Sequence, residues 1–154
     1  MSPAASRAMS DAAPAGDLVA AFLEQCGVEQ AFGVISIHNM PMLDAIGRRN
    51  RIRFVPARSE QGAVNMADAN ARVRGALGVA VTSTGTAAGN ACGALVEAAA
   101  AGTPLLHLTG QIDLPYLDRN RGYLHEARDQ LGMLRSAGKA AFRVWSADTL
   151  LGTL

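Results

Sequence analysis

A single carboxylate, Glu60, lies where the chain could hold an acid in a fixed position. It follows the short apolar pair Phe54-Val55 and precedes a run of small residues, 62–71, that is typical of a closely packed helix. A side chain at a strand-to-helix junction is placed rigidly, so Glu60 could act as a general acid or base. An ordinary glutamate in a first helical turn, favoured by the helix dipole, is the other interpretation.

A second candidate is the small-residue loop around Thr84 and Gly85, between an apolar segment and an alanine-rich one. Such a loop can present backbone N–H groups to a phosphate. However, it contains no G-x-G-x-x-G, and the chain's only lysine is Lys139, so a P-loop is excluded. A plain tight turn remains as the alternative.

The three histidines have no spacing that predicts a metal site. His107 lies inside an apolar segment and is interpreted as a core residue. His38 and His125 fall in predicted loops, where an exposed histidine and an acid or base in contact with substrate are both open. Asn39 and Gln111 are weaker candidates of the same kind.

The pattern along the chain alternates between helical and strand-like segments, which is typical of a parallel sheet with helical crossovers. It predicts strands at residues 31–35, 54–55, 77–82, 105–109 and 140–144. It predicts helices at residues 18–26, 41–47, 60–74, 87–101 and 130–135, and a last one that opens at Asp148. The expected fold is a doubly wound α/β domain with about five to six strands and helices on both faces, apparently lacking its last strand.

Length and composition limit the function classes. The chain has 154 residues, 49% hydrophobic residues and a net charge of +1, which favours one domain and argues against nucleic acid as a partner. Residues 1–16 are expected to form a disordered tail and residues 17–154 the domain. No apolar stretch is long enough for a membrane span or a signal peptide, and Cys26 and Cys92 are widely separated, so a cytoplasmic protein is expected.

Several segments together resemble one enzyme family. Residues 56–72 (PARSEQGAVNMADANAR) resemble the segment by which thiamine-diphosphate enzymes of the acetolactate synthase, 2-oxo-acid decarboxylase and benzaldehyde lyase family present an essential glutamate. Further resemblances follow in family order at residues 27–34 (GVEQAFGV), 41–46 (PMLDAI), 82–90 (TSTGTAAGN), 104–111 (PLLHLTGQ) and 125–130 (HEARDQ). The chain therefore resembles the N-terminal pyrimidine-binding domain of these enzymes.

The resemblance implies roles for particular residues. Glu60 would hydrogen-bond the aminopyrimidine ring of thiamine diphosphate and drive the tautomer that activates the cofactor. The implied cofactor-binding residues are Glu60, Thr84, Gly85 and Asn90, and the weaker substrate candidates are His38, Asn39, Gln111 and His125. The implied function is the cofactor-activating domain of a lyase or transferase that decarboxylates and ligates 2-oxo acids.

The resemblance also implies partners. In the family, Mg²⁺ and the diphosphate are held by another domain through a Gly-Asp-Gly motif, which this sequence lacks, so no metal site is expected here. A partner domain or subunit with that motif, a homo-oligomer and, in the full enzyme, FAD are the associated expectations. The isolated chain is expected to be inactive, and the sequence leaves open whether it is a cut fragment or a separate subunit.

Some loop residues depart from the family pattern. Ile35-Ser36 and Thr86-Ala87 stand where the family has Pro-Gly, and His125 stands where it has Gln. Because loop residues shape the pocket on a shared scaffold, the donor and acceptor substrates stay open. The alternative function is a non-catalytic α/β binding or interaction domain that retains only the fold.

Overall fold

The structure, a computed structural model, describes residues 13–154 and contains one parallel sheet with helices on both faces. The strands are β1 (Gln30–Gly33), β2 (Arg53–Pro56), β3 (Gly78–Thr82) and β4 (Leu105–Thr109), in the spatial order β2-β1-β3-β4. The helices are α1 (Ala15–Gln25), α2 (Met40–Arg49), α3 (Glu60–Arg74), α4 (Thr86–Ala100), α5 (Gln130–Ala137) and α6 (Ala147–Thr153). The doubly wound α/β fold is confirmed.

Successive residues of each strand supply two separate cores. Ala31, Val79 and Val81 belong to a cluster with α1, α2 and α6. Their strand neighbours Phe32 and Ala80 belong to a second cluster with α3, α4 and α5. This alternation follows from the period of two along a strand, and it explains why the strands are apolar on both faces.

Small residues allow α3 to pack closely on β3. Gly78 lies against the backbone carbonyl of Ala67, where a side chain at position 78 would collide with that oxygen. The α3 helix itself begins at a capped residue, because Ser59 Oγ accepts a hydrogen bond from the Gly62 N–H at 3.1 Å. It ends at Gly75, whose φ of 63° is left-handed. These local features fix Glu60 as the first residue of α3.

The structure corrects the prediction of a fifth strand. Residues 140–144 form no strand, and β4 is the last strand of the sheet on that side. A cavity of about 740 Å³ lies between residues 140–144 and β4. It is lined by Leu106 and Leu108 of β4 and by Phe142 and Val144. A five-residue strand occupies about 800 Å³ at the usual strand and layer spacings. Among residues 13–154 no strand fills this space, so residues 140–144 have no adjacent strand with which to pair.

The first described helix begins two residues before the predicted domain start at residue 17. Residues 1–12 lie outside the described part of the chain, whereas α1 begins at Ala15. Gly16 is buried against the backbone carbonyl of Pro41, where a larger side chain would collide. Residues 15 and 16 thus belong to the packed domain.

We expect the 154-residue chain to self-associate. In the described part of the chain, the second edge of β4 has no strand partner and lies beside an apolar cavity, and such edges recruit other strands. The β2 edge is protected, because that strand is short and ends in Pro56. Sedimentation velocity should show mass increasing with concentration, and a strictly monomeric protein with ordinary cooperative unfolding would contradict this expectation.

Candidate functional site

Glu60 and Asn90 form a hydrogen-bonded pair between α3 and α4. The Asn90 side-chain amide donates to Glu60 Oε2 at 3.1 Å. No hydrogen bond to Glu60 Oε1 is found within residues 13–154, and the side chain is only partly buried. The carboxylate is therefore not fully enclosed by the described residues: Ala63 and Val64 of the same helix are buried, but Oε1 of Glu60 is open to a ligand.

The pair continues into a longer series of polar side chains. Thr86 lies one helical turn before Asn90 and therefore on the same face of α4. Its hydroxyl is 3.3 Å from His125 Nδ1. The connection between β4 and α5 thus reaches the face of α4 that also carries the partner of Glu60.

His38 completes this series. Its ring centroid is 6.1 Å from that of His125, in an edge-to-face arrangement, and its Nδ1 is 3.3 Å from Ser83 Oγ. We call Glu60, Asn90, Thr86, His125 and His38 the polar row. The fold places the polar row at the carboxyl end of the parallel sheet, where ligands of α/β domains bind.

Thr84 and Gly85 face inward rather than toward the polar row. The Thr84 hydroxyl donates to Gln130 Oε1 at 2.8 Å, and the Gly85 N–H donates to the same oxygen at 2.6 Å. Gly85 has a φ of 59°, and the carbonyl of His125 occupies the place that a side chain would need. A ligand would therefore reach this loop through its backbone or through Thr86.

Asn39 and Gln111 hold loops together. Asn39 is 1% exposed; its Oδ1 accepts from the Ser36 N–H and its amide donates to the Val34 carbonyl, both at 2.9 Å. Gln111 Oε1 accepts from the Ile112 N–H at 2.8 Å. With these groups engaged, both side chains order loops beside the polar row.

Sequence analysis missed Gln130, the buried residue that binds the Thr84-Gly85 loop. A signal for it exists in the chain. Residues 130, 134 and 137 share one face of α5, and Leu134 and Ala137 pack in the core, so position 130 is a core position. A glutamine there must find buried partners.

The segment that carries His125 is ordered by Glu126. The carboxylate accepts from the N–H groups of Tyr123 at 3.0 Å and Asn120 at 2.9 Å, and these backbone hydrogen bonds hold the pKa of Glu126 below its usual value. Tyr123 also stacks on Tyr116, with ring centroids 4.1 Å apart. His125 itself has a φ of 61°, an uncommon conformation for a residue other than glycine.

His107 is a core histidine, as the sequence suggested. Its Nε2 is 2.8 Å from the Thr82 hydroxyl, and burial lowers the pKa of its imidazole to about 4. Desolvation disfavours the charged ring, so the neutral form occupies the sheet at ordinary pH. His107 therefore takes no part in the polar row.

Two classes of site are not found in the described part of the chain. Residues 13–154 contain no group of three or more His, Cys, Asp or Glu side chains arranged to hold a metal ion. Over the same residues, every helix is too short or too polar to traverse a bilayer.

Residues 14–133 match the family model described as "Thiamine pyrophosphate enzyme, N-terminal TPP binding domain". This match covers most of the chain, including every residue of the polar row. The chain belongs to this family of TPP-binding domains. The resemblance stated from the sequence is confirmed at the level of the domain.

Known relatives of this TPP-binding domain are much longer proteins. It is 35% identical over 119 residues to a probable 2-ketoarginine decarboxylase of Pseudomonas aeruginosa, covering 77% of the chain and 21% of the relative. It is 38% identical over 95 residues to the acetolactate synthase large subunit of Lactococcus lactis, covering 62% of the chain and 16% of the relative. It is 37% identical over 139 residues to human 2-hydroxyacyl-CoA lyase 2, covering 90% and 21%. The chain thus spans about a fifth of the length of these relatives.

The TPP-binding domain has side chains that fit one end of thiamine pyrophosphate. An aminopyrimidine needs an acid at its ring nitrogen, and Glu60 offers Oε1, which has no protein partner in residues 13–154. Diphosphate and Mg²⁺ need several oxygen ligands, which no cluster of carboxylates among the described residues provides. The donor set therefore fits the pyrimidine end of the cofactor.

We expect His107 to make the stability of the TPP-binding domain depend on pH. Its pKa is about 4 when folded against 6.5 for the free side chain, so between these values the unfolded chain binds the proton and the folded chain does not. The free energy of unfolding should therefore fall as pH drops from 6.5 to 4, by up to about 3 kcal/mol.

Chemical denaturation across this pH window measures the effect. His107→Gln removes the titrating ring, so its unfolding free energy should change less between the two pH values than that of the wild type. If the unfolding free energy changed equally with pH in both proteins, protonation of the His107 ring would not destabilise the folded state.

Proposed function

We propose that this domain supplies the cofactor-activating glutamate of an acetolactate synthase-like or decarboxylase-like enzyme that acts on 2-oxo acids. The observation that carries the proposal is the position of Glu60, which begins α3 at the carboxyl end of the sheet with one carboxylate oxygen open. The named activities of the relatives, a 2-ketoarginine decarboxylase and an acetolactate synthase, support this substrate class.

Glu60 would bind the cofactor through its open oxygen. When bound, thiamine pyrophosphate supplies a nucleophilic carbon that attacks the substrate carbonyl. Glu60 would hold a proton between Oε1 and the ring nitrogen of the aminopyrimidine, while Asn90 fixes the carboxylate through Oε2. A hydrogen bond from a neutral amide orients the carboxylate without adding a competing charge.

The two histidines of the polar row would face the substrate. His38 and His125 each have Nδ1 next to a hydroxyl, Ser83 and Thr86 respectively, which orients both rings. Their Nε2 atoms would then be available to donate to the carboxylate of a 2-oxo acid or to move a proton. In this proposal the substrate is positioned by two loops, one that carries His38 and one that carries His125.

The remaining half of the site would come from another domain or subunit. We propose that this partner holds the diphosphate and Mg²⁺, that the assembled enzyme is a homo-oligomer, and that FAD, if present, is bound outside this chain. The cysteines Cys26 and Cys92 are both free thiols, which is compatible with the reducing cytoplasm as the place of action.

Glu60→Gln should slow proton exchange at the reactive cofactor carbon by about 10² to 10⁴, because the amide cannot share a proton with the ring nitrogen. The rate of hydrogen–deuterium exchange at that carbon is measured in the enzyme assembled with its diphosphate-binding domain. Circular dichroism checks folding.

Glu97→Gln is the matched control, since Glu97 is exposed on α4. It should leave exchange unchanged. If Glu60→Gln exchanged at the wild-type rate, Glu60 would be an ordinary glutamate of the first helical turn. The alternative function, a non-catalytic binding domain, would then be favoured.

The 154-residue chain alone should show no magnesium-dependent affinity for thiamine pyrophosphate. The described residues provide no cluster of carboxylates for the metal that bridges the diphosphate. Isothermal titration calorimetry with and without Mg²⁺ tests this. Tight binding that requires the metal would assign the diphosphate end of the site to this chain.

A further inference from the structure

The Gln130 side chain joins two loops at the carboxyl end of the sheet. Its Oε1 accepts from the Thr84 hydroxyl at 2.8 Å and from the Gly85 N–H at 2.6 Å, while its Nε2 donates to the Gly110 carbonyl at 3.0 Å. Thr84 and Gly85 follow β3, and Gly110 follows β4. One amide therefore fixes the ends of two adjacent strands relative to each other and to α5.

The partners dictate the orientation of this amide. A backbone N–H can only donate and a backbone carbonyl can only accept, so Oε1 must face Gly85 and Nε2 must face Gly110. Gln130 is 5% exposed, and Thr84 is fully buried. Loss of the Gln130 amide would leave the buried Gly85 N–H without its acceptor, whereas the Thr84 hydroxyl could still donate to Gln111 Oε1, which lies 3.3 Å away.

The Thr84-Gly85 loop sets the position of the first turn of α4. Gly85 is the residue immediately before α4, and Thr86 and Asn90 lie on the first turns that follow it. Asn90 in turn holds the Glu60 carboxylate. The Gly85 backbone also contacts the carbonyl of His125, so a displaced Gly85 would move that histidine as well.

We infer that Gln130 is a positioning residue for the polar row, acting through Gly85 on the Asn90 amide that orients Glu60. A neutral amide is required because the Gly85 N–H needs an acceptor and the Gly110 carbonyl needs a donor on the same side chain. The functional consequence rests on the proposed role of Glu60 toward the aminopyrimidine. Gln130 itself contacts no residue of the polar row.

Two substitutions separate this role from simple space filling. Gln130→Leu keeps much of the volume and removes both the acceptor and the donor. Gln130→Glu can restore both, but only when protonated, since the acid then accepts through its carbonyl and donates through its hydroxyl. Ser136→Ala is the matched control, because it removes a hydrogen bond from the same helix to the Met133 carbonyl, away from the loop.

The first measurement uses the 154-residue chain and nuclear magnetic resonance. In Gln130→Leu, hydrogen exchange of the Gly85 amide should accelerate about tenfold, and the Asn90 side-chain resonances should shift. Gln130→Glu should resemble the wild type near pH 5. Near pH 8 its carboxylate still accepts from Gly85 but cannot donate to the Gly110 carbonyl, so the Asn90 resonances should shift while the Gly85 amide stays protected. Ser136→Ala should match the wild type.

The wild-type profile corrects for native titration. The titratable and charged side chains near position 130 are Asp129, which precedes it, the cavity-lining His38, His107, Lys139 and Arg143, and His125 beyond Gly85. Unchanged Gly85 and Asn90 signals in a folded Gln130→Leu protein would overturn the inference. If that variant fails to fold, wild-type signals from Gln130→Glu at both pH values overturn it instead.

The second measurement uses the assembled enzyme. Gln130→Leu should raise the KM for thiamine pyrophosphate about tenfold and change kcat less, since it displaces the binding face without removing the acid. A slowed Glu60→Gln enzyme together with an unchanged KM in Gln130→Leu would refute the positioning role alone. If the Gly85 and Asn90 signals moved in Gln130→Leu but exchange at the cofactor carbon was normal in Glu60→Gln, the proposed function alone would be refuted.

Discussion

Parallel pairing of short strands is the constraint on which the site depends. Because β1, β2 and β3 run in the same direction, the residues that follow them emerge at one edge of the sheet. His38, Glu60 and Ser83 are far apart in the chain and meet there for this reason alone. The polar row is thus a product of the crossover topology, in which each helix returns the chain to the opposite end of the sheet.

The sheet was largely predictable from sequence because its strands are buried on both faces. Residues 105–109 form a strand with the predicted bounds, since an apolar run flanked by Pro104 and Gly110 leaves few alternatives. Residues 140–144 have a similar composition and form no strand, because a strand also needs a partner that composition does not reveal. The local hydrophobic pattern predicts whether a segment suits a strand, whereas strand pairing depends on which elements lie beside that segment in the fold.

Side-chain direction was the part of the site that sequence could not supply. Thr84 stays a predicted cofactor residue, and its hydroxyl donates to Gln130 in the folded domain. Asn39 and Gln111 stay predicted substrate residues, and both support their own loops. In each case another group of the protein, a side-chain amide for Thr84 and backbone groups for Asn39 and Gln111, binds the side chain, and only the folded distances reveal it. Glu60 was predicted from the strand-to-helix junction and Asn90 from the family resemblance, whereas their hydrogen bond became visible only in the structure.

The contact between Gly85 and the His125 carbonyl has a consequence for protein engineering. It ties the loop that contains Thr84 and Gly85 to the loop that carries His125, with no room for a side chain between them. Exchanging one loop for that of a relative would therefore force the other to shift. The two loops form a single module for grafting, and altered specificity in this scaffold requires that residues 83–86 and 123–126 be exchanged together.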